Sequence, residues 1–139
     1  MKIERVVINT DGASRGNPGP AAIGATIKDG RGNLLASISQ SIGRTTNNQA
    51  EYRALIAALE KAAALGASHV DIRADSQLVV RQVEGSYRVK KASLRPLYLE
   101  ACRLLAGFQG VTITAVPREQ NREADALATA ALKKRRPTP

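Results

Sequence analysis

The chain has 139 residues, 43% of them hydrophobic, which fits a single domain with a core of ordinary size and leads us to expect no second one. Its 21 Lys and Arg against 12 Asp and Glu give a net charge of +9, so a polyanion is the natural partner. The lone cysteine, Cys102, cannot close an internal disulfide, and no apolar run approaches the roughly 18 residues of a membrane span, so a disulfide scaffold and a spanning helix are excluded and a cytoplasmic protein is expected.

In chain order, residues 3–10, 21–28 and 34–42 read as three strands, the last two joined by the turn Asp29-Gly30-Arg31-Gly32-Asn33, and together they predict an antiparallel meander. Thr46 with Gln49 three residues on has the form of a capping box. The helix it opens repeats apolar residues at Leu55, Leu59, Ala62 and Ala63 and stops at Gly66. Residues 70–74 read as a short buried strand, 76–83 as a short helix ended by Gly85, 94–105 as a helix with Cys102 as a buried thiol, and 111–116 as a strand. A last amphipathic helix spans 121–134. The basic segment 133–139 reads as a frayed tail behind a domain of residues 1–132. This βββαβααβα order predicts a mixed five-stranded sheet with helices on both faces, a three-layer α/β domain.

Four carboxylates stand at element ends: Asp11 after Val6-Val7-Ile8, Asp75 after residues 70–74, and Glu51 and Asp125 near helix starts. Taken singly, Asp11 fits a turn, Asp75 a helix cap, and Glu51 and Asp125 acids favoured by a helix dipole. Taken together they converge on one end of the sheet if strands one and four are neighbours, and there they would repel one another unless cations bind. Hard oxygen ligands suit Mg²⁺ or Mn²⁺, and two such ions about 3.5–4 Å apart are the usual device for in-line phosphodiester chemistry. Charge supports a polyanion at that site: residues 88–139 hold 11 basic and 4 acidic side chains, residues 1–87 hold 10 and 8.

The strings Thr10-Asp11-Gly12-Ala13, Gly16-Asn17-Pro18-Gly19-Pro20, Thr45-Thr46-Asn47-Asn48-Gln49-Ala50-Glu51-Tyr52, Ala74-Asp75-Ser76-Gln77 and Asn121-Arg122-Glu123-Ala124-Asp125-Ala126-Leu127-Ala128 resemble, in order, the motifs of the ribonuclease H type 1 family. The resemblance implies a ribonuclease H-like fold and an endonuclease that cuts the RNA strand of RNA–DNA hybrids, leaving 5′-phosphate and 3′-hydroxyl ends. It implies Asp11, Glu51, Asp75 and Asp125 as catalytic ligands of Mg²⁺ or Mn²⁺, two ions when substrate is bound. It also implies substrate contacts at Gly12, Asn17, Arg44, Thr46, Asn47, Asn48 and Gln77. Short polar side chains of this kind suit the wide, shallow minor groove where 2′-hydroxyls are displayed. Four aromatic residues, Tyr52, Tyr87, Tyr98 and Phe108, are too few for a single-strand stacking platform, so a duplex is the expected partner, with no protein partner implied and a monomer expected.

Two departures from the best-known bacterial pattern stand out. The basic, tryptophan-bearing insertion is reduced to Tyr87-Arg88-Val89-Lys90-Lys91-Ala92-Ser93, and the loop before the last helix offers Arg118 where those members carry a histidine. An arginine can attract a phosphate but cannot shuttle a proton near neutral pH, so Arg118 is expected to assist catalysis by charge alone. A relative acting on another duplex and a hybrid-binding module without catalysis stay open as alternatives. His69, the sole histidine, stands before a strand, away from the expected ligands, and reads as structural or exposed.

Overall fold

A computed structural model describes residues 4–134. Five strands form one mixed sheet in the order β3-β2-β1-β4-β5, with β1 Arg5–Ser14, β2 Gly19–Asp29, β3 Leu34–Thr45, β4 His69–Ala74 and β5 Gly110–Ala115. The first three are the expected antiparallel meander. β1 pairs with β4, and β4 with β5, in parallel, as the intervening helices require.

Helices α1 (Asn47–Ala64), α2 (Gln77–Glu84) and α3 (Arg95–Leu105) lie on one face and α4 (Arg122–Lys134) on the other, giving the expected three-layer α/β arrangement. Strand alternation assigns the faces. Val6 and Ile8 of β1 join Leu55 and Leu59 of α1 and Val70 and Ile72 of β4 in the main core, whereas Ala13 packs with Ala22, Ala131 and Leu132 beneath α4. Asp11 shares the alternation of Ala13 and therefore faces α4.

Element boundaries differ from expectation most at the first hairpin. β1 does not stop at Thr10 but runs on to Ser14, and β2 starts at Gly19, so residues 11–14 and 19–20 are strand and only residues 15–18 connect them. Its glycines answer close approach. A Cβ on Gly12 would sit 2.3 Å from the Ala50 carbonyl carbon, and one on Gly19 would sit 1.8 Å from the Arg15 oxygen. Cys102 is half-buried rather than buried, on the outer helix α3. Of the expected tail, Lys133 and Lys134 close α4, and residues 135–139 lie outside the described residues.

Candidate active site

The parallel β1–β4 ladder ends at the Thr10–Ala74 pair, so Asp11 and Asp75 are the next residue on each strand and emerge side by side. Glu51 reaches them from α1. The start of that helix is fixed by the expected capping box: Thr46 Oγ1 accepts the Gln49 N–H at 3.2 Å and Gln49 Oε1 accepts the Thr46 N–H at 3.1 Å. A further free N–H, that of Asn47, donates to Asn17 Oδ1 at 2.9 Å, which ties the β1–β2 connection to the helix. One turn on, Glu51 Oε1 accepts the Gly12 N–H at 2.7 Å. Because Gly12 lacks a Cβ, the α1 backbone comes close enough to make this bond.

Asp11, Glu51 and Asp75 each bring a carboxylate oxygen within 4.8 Å of the others. Asp11 and Glu51 are only 3% and 7% exposed. Burial first, then the Asp75 and Asp125 carboxylates, push Asp11 up from the ordinary 3.8 to about 8. Glu51 is raised well above the ordinary carboxylate range by burial, then by Asp11 and Asp75, with the Gly12 N–H pulling the other way. Asp75 does not cap α2. Ser76 does, accepting the Val79 N–H at 3.3 Å, and Asp75 Oδ2 is buried with no hydrogen-bond partner. Nor is Glu51 a first-turn acid of α1. An acid trio that repels itself, with one orphaned oxygen, fits a divalent cation with hard oxygen ligands.

Asp125 is outside that trio but close enough to Asp11 for its carboxylate to add to the rise there. Its position follows from Gly24, which pairs with Asp11 and presents bare backbone to α4. A Cβ there would lie 2.2 Å from the Ala124 oxygen and 2.5 Å from the Ala128 nitrogen. Helix α4 thus sits directly on the sheet beside Asp11.

Asn47, Gln77 and Arg118 line one open cleft with Glu51 and Asp75, a volume of about 620 Å³ that Ser76 and residues 115–117 complete. Arg118 opens a short 3₁₀ turn, Arg118–Gln120, and is exposed with no ion pair among the described residues. Asn48 is half-buried beside Asn47, and Arg44 is exposed near the end of β3. The Thr46 hydroxyl is engaged in its cap, so the reading of Thr46 as a helix cap is the one its hydrogen bonds support. Arg44 and Thr46 are not among the residues that line the cleft. Two contributors were given no role from sequence. Asn9 gave no signal, and Asn121 read as the first residue of a helix and of a family motif, without a role of its own, although its side chain crosses to β1.

A family described as "Reverse transcriptase-like" matches residues 9–131. The ribonuclease HI of Halobacterium salinarum is 52% identical over 128 residues, which are 92% of this chain and 64% of that protein. A bifunctional protein of Mycobacterium tuberculosis is 46% identical over 92% of this chain and only 35% of its own length, so the chain spans about a third to two thirds of these relatives. The crystal structure of the Halobacterium RNase H1 superposes with a TM-score of 0.91 at 51% identity, over 94% of this chain and 98% of that one. LC11-RNase H1, isolated from compost and solved in complex with an RNA/DNA hybrid, gives 0.88 at 42% identity, over 93% and 97%. The fold is ribonuclease H-like, and the chain belongs to the ribonuclease H type 1 family.

Proposed function

We propose that the chain is a metal-dependent endonuclease that hydrolyses the RNA strand of RNA–DNA hybrids, leaving 5′-phosphate and 3′-hydroxyl ends. The observation that carries the reading is the buried trio Asp11, Glu51 and Asp75 at the mouth of a polar cleft, in a chain so similar to ribonuclease HI. With Asp125, these residues would hold Mg²⁺ or Mn²⁺, as two ions when substrate is bound. Such ions supply positive charge that acidifies a coordinated water and offsets charge on the departing 3′-oxygen.

The protein's own groups divide the remaining work. Gly12 orients Glu51 through its N–H, and Asp11 must give up the proton that its surroundings hold to about 8. Asn47, Asn48 and Gln77 offer amides to 2′-hydroxyls and base edges, which favours RNA without reading sequence. Asn17 acts on the same contact by fixing the first turn of α1. Exposed Arg44 would meet a phosphate of the DNA strand, and Arg118, which shares a cleft with Glu51 and Asp75, would attract the scissile or departing phosphate. Water adds to phosphorus as the bond to the 3′-oxygen breaks, and the proton lost by water balances the one gained by that oxygen. A monomeric, cytoplasmic enzyme comprising residues 1–132 completes the reading; among the described residues, no helix is long and apolar enough to cross a membrane.

Labelled RNA–DNA, RNA–RNA and DNA–DNA duplexes, each digested with Mg²⁺, with Mn²⁺ and with chelator, test it. Cleavage confined to the RNA of the hybrid and lost in chelator is expected. Cleavage of RNA–RNA or DNA–DNA in preference would change the substrate, and intact hybrid under both metals would leave a binding module.

A further inference from the structure

Asn121 is 1% exposed, deeper than any of the four acids, and its side chain ties together parts of the chain 111 residues apart. Its Nδ2 donates to the Thr10 carbonyl at 2.8 Å, and its Oδ1 accepts from Asn9 Nδ2 at 3.0 Å. Its backbone carbonyl accepts the Asp125 N–H at 3.1 Å, and its own N–H donates to the Arg118 carbonyl at 2.9 Å. Thr10 is the residue before Asp11. One buried residue therefore joins three parts of the site: its side-chain amide holds the strand that carries Asp11, and its backbone holds the helix turn that carries Asp125 and the 3₁₀ turn that carries Arg118.

We propose that Asn121 is a positioning residue that sets the separation of Asp125 from Asp11 and so tunes how tightly the acidic cluster holds a divalent cation. An apolar residue of similar size would fill the space but leave the Thr10 carbonyl and Asn9 amide without their partner. α4 would keep its packing on Gly24 and its ties to Ser39 and Lys28, but the start of the helix would lose its direct side-chain tie to the strand that carries Asp11, leaving the separation of Asp125 from Asp11 less tightly set. The inference rests on the acids being the metal site, and Asn121 itself touches neither metal nor substrate.

The test compares Asn121→Ala with Leu132→Ala, which loosens α4 at its far end, in the small core with Ala22 and Ala131. Both should melt below wild type. Mn²⁺ affinity measured by calorimetry without substrate should fall about 10–100-fold in Asn121→Ala, the range seen when the supports of metal ligands are removed, and stay near wild type in Leu132→Ala. The hybrid KM of Asn121→Ala should stay within about twofold while kcat falls at limiting metal. Asn121→Asp, which keeps an acceptor for Asn9 but loses the donor to Thr10, should weaken Mn²⁺ binding too, and carries the test if the alanine variant does not fold. Wild-type Mn²⁺ affinity in the folded Asn121 variants, or an equal loss in Leu132→Ala, would overturn the proposal. Failure of the wild-type protein to cleave any hybrid would instead overturn the proposed function, leaving the calorimetric comparison readable.

Discussion

Asp11 shows most directly how a residue's surroundings set its chemistry. Its carboxyl is buried against Asp75 and Asp125 and raised from 3.8 to about 8. A carboxyl that binds its proton more tightly when folded contributes stability that is fully present below its unfolded pKa and lost as pH rises through the folded one. Without metal, the melting temperature should therefore fall between about pH 4 and pH 8, and saturating Mg²⁺ or Mn²⁺ should restore much of the loss. Asp11→Asn removes the titrating group, so its melting curve in chelator should be flatter with pH and higher than wild type at pH 8. The same change should cut hybrid cleavage by ~10³-fold or more, about 4 kcal/mol of transition-state stabilisation. Parallel melting profiles for the two proteins, or near-normal turnover by folded Asp11→Asn, would sink this account. Arg118 supplies a second prediction at this scale. It lines the cleft with Glu51 and Asp75, and no histidine stands there. Arg118→Ala should slow hybrid cleavage by ~10–100-fold, roughly 1.4–2.7 kcal/mol, and Arg118→Lys should recover only part, since a point charge cannot reproduce two parallel contacts to phosphate. Kinetics unchanged in Arg118→Ala would make it a surface residue.

At the scale of elements, the site depends on how closely backbones approach, and Gly24 is the sharpest case. Gly24→Ala would force a methyl against the Ala124 oxygen and Ala128 nitrogen, both in the helix that carries Asp125. It should cost about 1–3 kcal/mol of stability, as overpacking does, and lower cleavage more than the fold loss explains, because α4 must lift away from Asp11. Gly30→Ala makes the control, with nothing within 4 Å of the added carbon; its stability should change by less than about 0.5 kcal/mol. Equal melting temperatures for the two variants would show that α4 has slack at Gly24. Close approach is also what the sequence conceals. The capping box at Thr46 and Gln49 was legible because its partners are three residues apart, and Gly66 and Gly85 were legible as helix stops for a similar local reason. Gly12 and Gly19 lie outside the strands expected at 3–10 and 21–28, yet they continue them, because nothing local separates a glycine that bends the chain from one that admits another backbone. The convergence of Asp11, Glu51 and Asp75 was legible even though Asp11 lies inside β1 and Glu51 beyond the first turn of α1, whereas the Asn9–Asn121 bond, spanning 112 residues, had no local trace.

Over the whole molecule, the strand order β3-β2-β1-β4-β5 puts the Asp11 and Asp75 ends together, and charge decides how a polyanion reaches them. The excess of +9 is uneven along the chain, with 11 basic and 4 acidic side chains in residues 88–139. Arg88, Lys90 and Arg95 line an open cleft of about 850 Å³ between α2 and α3, where the shortened connection replaces a long basic insertion, and exposed Tyr87 and Leu99 share that surface. Arg118 lines the cleft of Glu51 and Asp75, acids that repel phosphate until metal is bound, and exposed Arg44 lies two residues before the Thr46 cap of α1. Hybrid binding should therefore draw on a few well-separated cations rather than one dense grip, and each phosphate they neutralise releases counterions. If about four such contacts form, the logarithm of affinity should fall with the logarithm of salt at a slope of roughly −3 to −4, while the single-turnover rate at saturating enzyme barely changes. The double variant Arg88→Ala with Lys90→Ala should make that slope shallower by up to about 2 if both side chains meet phosphate, and should leave cleavage of a fully bound hybrid intact. Affinity indifferent to salt from low to physiological concentration would exclude electrostatic docking altogether. An unchanged slope in the double variant would place the phosphate contacts elsewhere, with Arg44 and Arg118 the next cations to remove.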